Sequence, residues 1–208
     1  SKPKEVPVDR RSNDELRAEF RRLHGFTDSD IVALYVGRIN PVDQPYKGTG
    51  ELFALAPKLK DEFPQLKWIM VGLGTEKDGD LCRKAGIIPL LNYPDWRMRQ
   101  VFVGCDLYIS ASKWEGFNLP VLESQYFGKP VLVYRLAAHP EVVDDGNTGF
   151  LAKNKKDFEN RLKQLIADES LRDSLGESGT EWAKRFNWKS CAENFEKLFE
   201  TVLERKKR

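Results

Sequence analysis

A chain of 208 residues with 34 Lys and Arg against 32 Asp and Glu has a formal net charge of +2. That balance offers no broad field for nucleic acid or an acidic membrane, so an anion must be gripped locally. With 40% hydrophobic and 32% charged residues, the composition is that of one folded domain, or one domain with an appendage, and excludes a disordered chain. No apolar run is long enough for a membrane span, and the polar opening Ser1-Lys2-Pro3-Lys4-Glu5 does not read as a signal peptide.

Residues 1–12 are rich in proline and charge and read as a linker. Ser12-Asn13-Asp14-Glu15 predicts a helix start, with Gly25 as the left-handed stop. Ile31 to Val36 is a continuous apolar strand ending in Gly37-Arg38. A polar loop with Pro41 and Pro45 leads to Lys47-Gly48 and a helix to about Phe63. Leu66 to Val71 is the next strand, closed by Gly72-Leu73-Gly74. A helix runs to Gly86, a short strand covers Ile87 to Leu91, and a helix runs from about Asp95 to Gly104.

Leu107 to Ser110 is a strand, and a helix follows from about Pro120 to Phe127. Val131 to Val133 and Gly149 to Leu151 are the last strands. From about Lys155 the chain is helical, with Trp182, Phe186, Trp188, Phe195, Leu198 and Phe199 as apolar contacts. Short apolar strands alternating with helices predict an α/β fold, a doubly wound, Rossmann-like parallel sheet covered on both faces. Ligands of such sheets lie beyond the carboxyl ends of the strands, which singles out the loops 37–47, 72–74, 111–119 and 137–141.

The densest of these is Ser112-Lys113-Trp114-Glu115-Gly116-Phe117-Asn118-Leu119-Pro120-Val121-Leu122-Glu123. Glu115 lies in a loop after a strand and Glu123 in the first turns of a helix. Pro120 suits a first turn, where its missing N–H would have had no partner, and Asn118 can act as N-cap. The free N–H groups near Asn118 and Leu119 then form an anion site, and Gly116 allows close backbone approach. Helix-end amides beside a carboxylate suit a ligand with both phosphate and hydroxyls. Arg38 and Lys47, from another strand end, can compensate a leaving diphosphate.

The string Glu115-Gly-Phe-x-Leu-Pro-x-Leu-Glu123 is followed by Gly128-Lys129-Pro130-Val131, Pro140-Glu141-Val142-Val143 and Gly146-x-Thr148-Gly149-Phe150-Leu151. With Val36-Gly37-Arg38, Lys47-Gly48, Val71-Gly72-Leu73-Gly74 and Asp106 to Ser112, it closely resembles the C-terminal domain of glycosyltransferase family 4, a retaining family of the two-domain GT-B type. The motifs follow the family's order over about residues 30–152.

The resemblance implies a catalytic set of Arg38, Lys47 and Glu115. Arg38 and Lys47 would hold the donor diphosphate, Glu115 the sugar hydroxyls, and Gly116, Phe117, Asn118 and Leu119 would contribute backbone amides. Glu123 would bind ribose, Asn92-Tyr93 the base through backbone, and Gly37 and Gly72 would line the same pocket. The donor would be a nucleoside-diphosphate sugar such as a UDP- or GDP-hexose, with no metal, cofactor or protein nucleophile.

The expected partners are an N-terminal acceptor domain of the same protein and a glycan or lipid-linked acceptor, with no nucleic acid. The expected location is the cytoplasm, with peripheral contact at the membrane's cytosolic face. Residues 1–12 would be an interdomain linker, 13–186 the nucleotide-sugar domain, and 187–208 a helix packing toward the N-terminal domain.

The sequence departs from the family pattern at Asn118, where the family usually has glycine, and this alters the sugar pocket. Ser124-Gln125-Tyr126-Phe127 and Ala137-Ala138-His139 also replace smaller residues. Cys82, Cys105 and Cys191 make no zinc or redox spacing and read as reduced thiols. Asp28-Ser29-Asp30 and Asp78-Gly79-Asp80 read as turn and cap residues rather than metal ligands, and His139 as a loop histidine. A second reading is a non-catalytic nucleotide- or sugar-binding module of a larger protein. Related epimerases and phosphorylases would need acid/base groups or a lysine-bound cofactor that no residue here singles out.

Overall fold

The computed structural model describes residues 9–206, with side chains through Glu204. The first eight residues of the expected linker lie outside it. The sheet is built from β1 (Ile31–Val36), β2 (Leu66–Gly72), β3 (Ile87–Leu91), β4 (Leu107–Ser110), β5 (Val131–Tyr134) and β6 (Gly149–Ala152). Their order is β3-β2-β1-β4-β5-β6 and every pairing is parallel. The winding reverses between β1 and β4, which register through Ala33 with Leu107 and Leu34 with Tyr108. A crevice opens at such a switch point, because the connections leave it in opposite directions.

Successive residues of a strand point to opposite faces, so the apolar run of β1 feeds two cores. Ile31, Ala33 and Tyr35 join Trp68, Met70, Leu132, Phe158 and Leu162 on one face. That face is covered by α2 (Thr49–Leu59), α3 (Glu76–Lys84) and α7 (Lys155–Ala167). Val32 and Leu34 join Phe20, Val101, Phe102, Tyr108, Val121 and Val133 on the other. There the cover is α1 (Asn13–Leu23), α4 (Met98–Gly104) and α5 (Leu119–Tyr126).

The strands fall where the apolar runs predict, and differences concentrate at helix ends. Ser12 caps α1 with a full capping box to Glu15. α2 stops at Leu59 rather than near Phe63, just past the internal Pro57. The four-residue α6 (His139–Val142), with Pro140 in its first turn, occupies a stretch expected to be loop. α8 (Glu169–Ala183) and α9 (Trp188–Lys206) complete the chain.

The tail behaves in two ways. Trp182 donates its indole N–H to the Val142 carbonyl, and Phe186 packs on the second core. Trp188 is 88% exposed, and Phe195, Leu198 and Phe199 are exposed too, so these four lie outside the core. Helical spacing places them along α9, but nothing in the described chain covers that side.

Asp106 anchors the amino ends of the strands. Its carboxylate accepts from Arg21, Arg17 and the Val32 N–H, while Arg17 also reaches carbonyls at the end of α4. Of the Asp-x-Asp strings, Asp30 accepts from Thr27 in a turn, and Asp78 lies inside α3 and closes the capping box of Thr75.

Candidate functional site

Two loops meet over the switch point. The loop after β1 ends in a 3₁₀ turn, Pro45–Lys47, followed by Gly48 in the left-handed region at φ +70°. A Cβ on Gly48 would stand 1.9 Å from the Ala111 carbonyl oxygen, so only glycine lets this turn press against the end of β4. The Tyr46 carbonyl accepts from the Lys113 N–H at 2.6 Å and the Ser112 hydroxyl at 3.2 Å. Tyr46 and Trp114 meet edge to face. Gly72 is equally constrained, since its Cβ would stand 1.6 Å from the Gly37 oxygen.

Stitched this way, the loops bring Lys47 and Glu115 together. The Lys47 ammonium donates to both Glu115 oxygens, at 3.0 and 3.1 Å. The carboxylate is only 12% exposed. Its charge is felt by Tyr35 and Tyr108, whose phenols burial drives well above their ordinary range, with Glu115 adding to the effect.

Beyond Glu115 the backbone turns into α5. Asn118 occupies the N-cap position, as expected, but in the left-handed region at φ 64°, and its side chain caps nothing. Its amide donates instead to His139 Nε2 at 2.8 Å. Among the described residues, the N–H groups of Gly116, Phe117, Asn118 and Leu119 donate to no protein acceptor. Four free donors at a helix N-terminus, beside a lysine, form an anion cradle.

The remaining expected site residues are more scattered. Arg38 is exposed, and no bond joins it to Lys47 or Glu115. With the Gln44 carboxamide oxygen turned toward it, that oxygen accepts from Arg38 Nε at 3.2 Å and Nη1 at 2.6 Å. Asn92, at φ 50°, bridges strand ends: its N–H donates to the Gly72 carbonyl and its amide to the Gly74 carbonyl. The Tyr93 hydroxyl accepts from Gln100. Phe117 meets Phe186 edge to face, and Leu119 is exposed at the head of α5. Glu123 sits one turn into α5. Desolvation first, and then the charge of Asp95, hold its carboxyl above the usual range.

His139 is not the loop histidine expected. It opens α6, is 0% exposed, and lies close enough to Glu115 and Lys47 to feel both charges. Only Pro140, suited to a first helical turn, hinted at this in sequence. Tyr46 carried no sequence signal, and although Ser112 lies in a stretch the sequence singles out, its bond to Tyr46 was not legible there, since that contact spans 66 residues.

The six-stranded parallel Rossmann-like sheet places the chain among the GT-B glycosyltransferases. The family described as glycosyl transferases group 1 matches residues 17–182, and the chain belongs to it. It is 28% identical over 207 residues to D-inositol 3-phosphate glycosyltransferase of Corynebacterium kroppenstedtii, covering 92% of this chain and 45% of the relative. It is 36% identical over 100 residues to an uncharacterized glycosyltransferase of Methanocaldococcus jannaschii, covering 47% of this chain and 28% of the relative.

Among solved structures, Anabaena Alr3699/HepE in complex with UDP-glucose superposes with a TM-score of 0.75 at 19% identity, over 92% of this chain and 54% of that one. The C-terminal domain of the glycosyl transferase group 1 protein LpcC of Francisella tularensis gives 0.66 at 19% identity, over 86% of this chain and 94% of that domain. The chain thus spans about half the length of the curated full-length relatives it matches along most of its own length.

Proposed function

We propose that this chain is the donor-binding, C-terminal domain of a retaining glycosyltransferase that moves a hexose from a nucleoside-diphosphate sugar to an acceptor hydroxyl. The observation that carries this reading is the Lys47–Glu115 pair set beside four unpartnered amides at the head of α5. A diphosphate sugar divides that constellation by chemistry. Its phosphates take Lys47 and the amides of residues 116–119, and its hydroxyls take Glu115.

Arg38, the other cation of the β1 loop, adds a planar fork for the diphosphate as its charge grows during departure. Glu123 receives the ribose, and the backbone at Asn92-Tyr93, beyond β3, receives the base. Attack on the face that the diphosphate leaves, assisted by a phosphate oxygen, retains configuration without a protein nucleophile or a metal. The acceptor site belongs to an N-terminal domain, for which the uncovered apolar side of α9 is the docking face. Donor complexes of HepE with UDP-glucose and UDP lend support to a uridine donor.

Calorimetric titration of the chain with UDP, GDP, ADP and their hexose conjugates tests the reading. One base should bind, and Arg38→Ala or Lys47→Ala should weaken it by about 1.5–3 kcal/mol, the range for hydrogen bonds to charged groups. Unchanged affinity in both variants would sink the diphosphate assignment.

A further inference from the structure

Asn118 adopts a backbone conformation that glycine adopts freely, and does so with a buried side chain, 9% exposed. Asparagine tolerates the left-handed region better than most residues, because its short amide bonds locally. Here the amide bonds across the fold. Its nitrogen lies 2.8 Å from His139 Nε2, while His139 Nδ1 lies 2.8 Å from the Tyr134 carbonyl.

A carbonyl can only accept, so Nδ1 carries the hydrogen. Burial disfavours the charged ring, lowering its pKa. Nε2 is therefore a bare acceptor, and the asparagine atom facing it must be the NH2 group. The planar carboxamide then has one orientation. Its nitrogen is sealed against His139, and its oxygen is turned away. Among the described residues no donor reaches that oxygen. It sits at the head of α5, within the stretch of free amides, three residues from Glu115.

The geometry points to His139 as a positioning residue that acts through Asn118, and to the Asn118 Oδ1 as an acceptor for one hydroxyl of the donor's sugar. This deepens the donor-site reading and rests on it. The physical case is the fixed sense of the amide. A freely rotating Asn118 could offer either a donor or an acceptor. The chain Tyr134 carbonyl, His139, Asn118 offers only an acceptor, which a sugar hydroxyl satisfies and a deoxy position does not. The tautomer, not the charge, of His139 carries the information.

Titration of the chain with the nucleoside diphosphate it binds, and with the hexose conjugate, decides this. Asn118→Gly keeps the left-handed backbone and removes the carboxamide. His139→Leu removes the acceptor, and His139→Gln keeps one. Asn118→Gly and His139→Leu should each weaken the hexose conjugate about fivefold, the size of one neutral hydrogen bond, and the bare diphosphate less than about twofold. His139→Gln should restore the conjugate. The double variant should be no worse than Asn118→Gly alone, because His139 then has nothing to hold.

Nitrogen NMR of the wild-type imidazole should show the hydrogen on Nδ1. A hydrogen on Nε2, equal losses for conjugate and bare diphosphate, or a further loss in the double variant would overturn the inference. Should His139→Leu fail to fold, Asn118→Gly and His139→Gln carry the same comparison. A wild-type chain that binds no nucleoside diphosphate removes the donor-site reading and this role together. A chain that binds normally and ignores Asn118→Gly removes this role alone.

Discussion

Gly25 and Gly48 have nearly the same φ, +69° and +70°, and opposite surroundings. A Cβ on Gly25 meets nothing within 4 Å, whereas one on Gly48 would lie 1.9 Å from the Ala111 oxygen. Gly25→Ala therefore isolates the left-handed strain, about 1 kcal/mol once the stiffer unfolded chain is credited. Gly48→Ala adds a clash with backbone that must withdraw by about 1 Å, from 1.9 to the 3.0 Å limit. Overpacking of that kind costs about 1–3 kcal/mol more.

Urea unfolding of both variants, read at the midpoint with unchanged slope, measures the difference. In thermal unfolding each kcal/mol moves the midpoint by about 2–4 °C for a domain of this size. Gly48→Ala should also weaken nucleoside diphosphate binding, since it displaces Lys47, and Gly25→Ala should not. Equal stability losses in the two variants would refute the close approach on which the site is built.

Glu115→Gln should weaken a hexose conjugate while leaving the bare diphosphate equal or tighter, because the carboxylate no longer competes for Lys47; parallel losses in calorimetry would remove its sugar role. Asp106→Ala leaves Arg21, with a side chain only 6% exposed, without its carboxylate, and should cost about 3–5 kcal/mol in denaturant unfolding. A loss below about 1 kcal/mol would show that the carbonyls around Arg21 suffice. Burial depresses the pKa of both His139 and His24 below 6.5, so the unfolded chain takes up protons first on acidification. Their contribution is complete above pH 6.5 and is lost as pH falls toward the folded values. His139→Gln should flatten the fall in stability between about pH 7 and 5, and an unchanged slope would show His139 is not buried as described.

The six strands and their parallel, doubly wound arrangement were legible in the chain. Ile31–Val36 and Val131–Tyr134 carry their own apolar runs, and burial on both faces demands such runs whatever the partners. Lys47, Glu115 and the head of α5 were singled out in the chain as candidates, because each lies in a loop that follows a strand, beside a glycine or proline. Helix limits were less so: α6 is too short to show a period, and packing decides where α2 yields after Pro57.

What the sequence by itself determined is local: apolar runs, capping boxes and loop chemistry act within a few residues. The tertiary structure alone decided that Lys47 reaches Glu115 across 68 residues, that Ser112 locks Tyr46, and that His139 turns Asn118. Those contacts join loops that leave different strands. Their geometry comes from the sheet order and from close backbone approach at Gly48 and Gly72, and no stretch of sequence contains both partners.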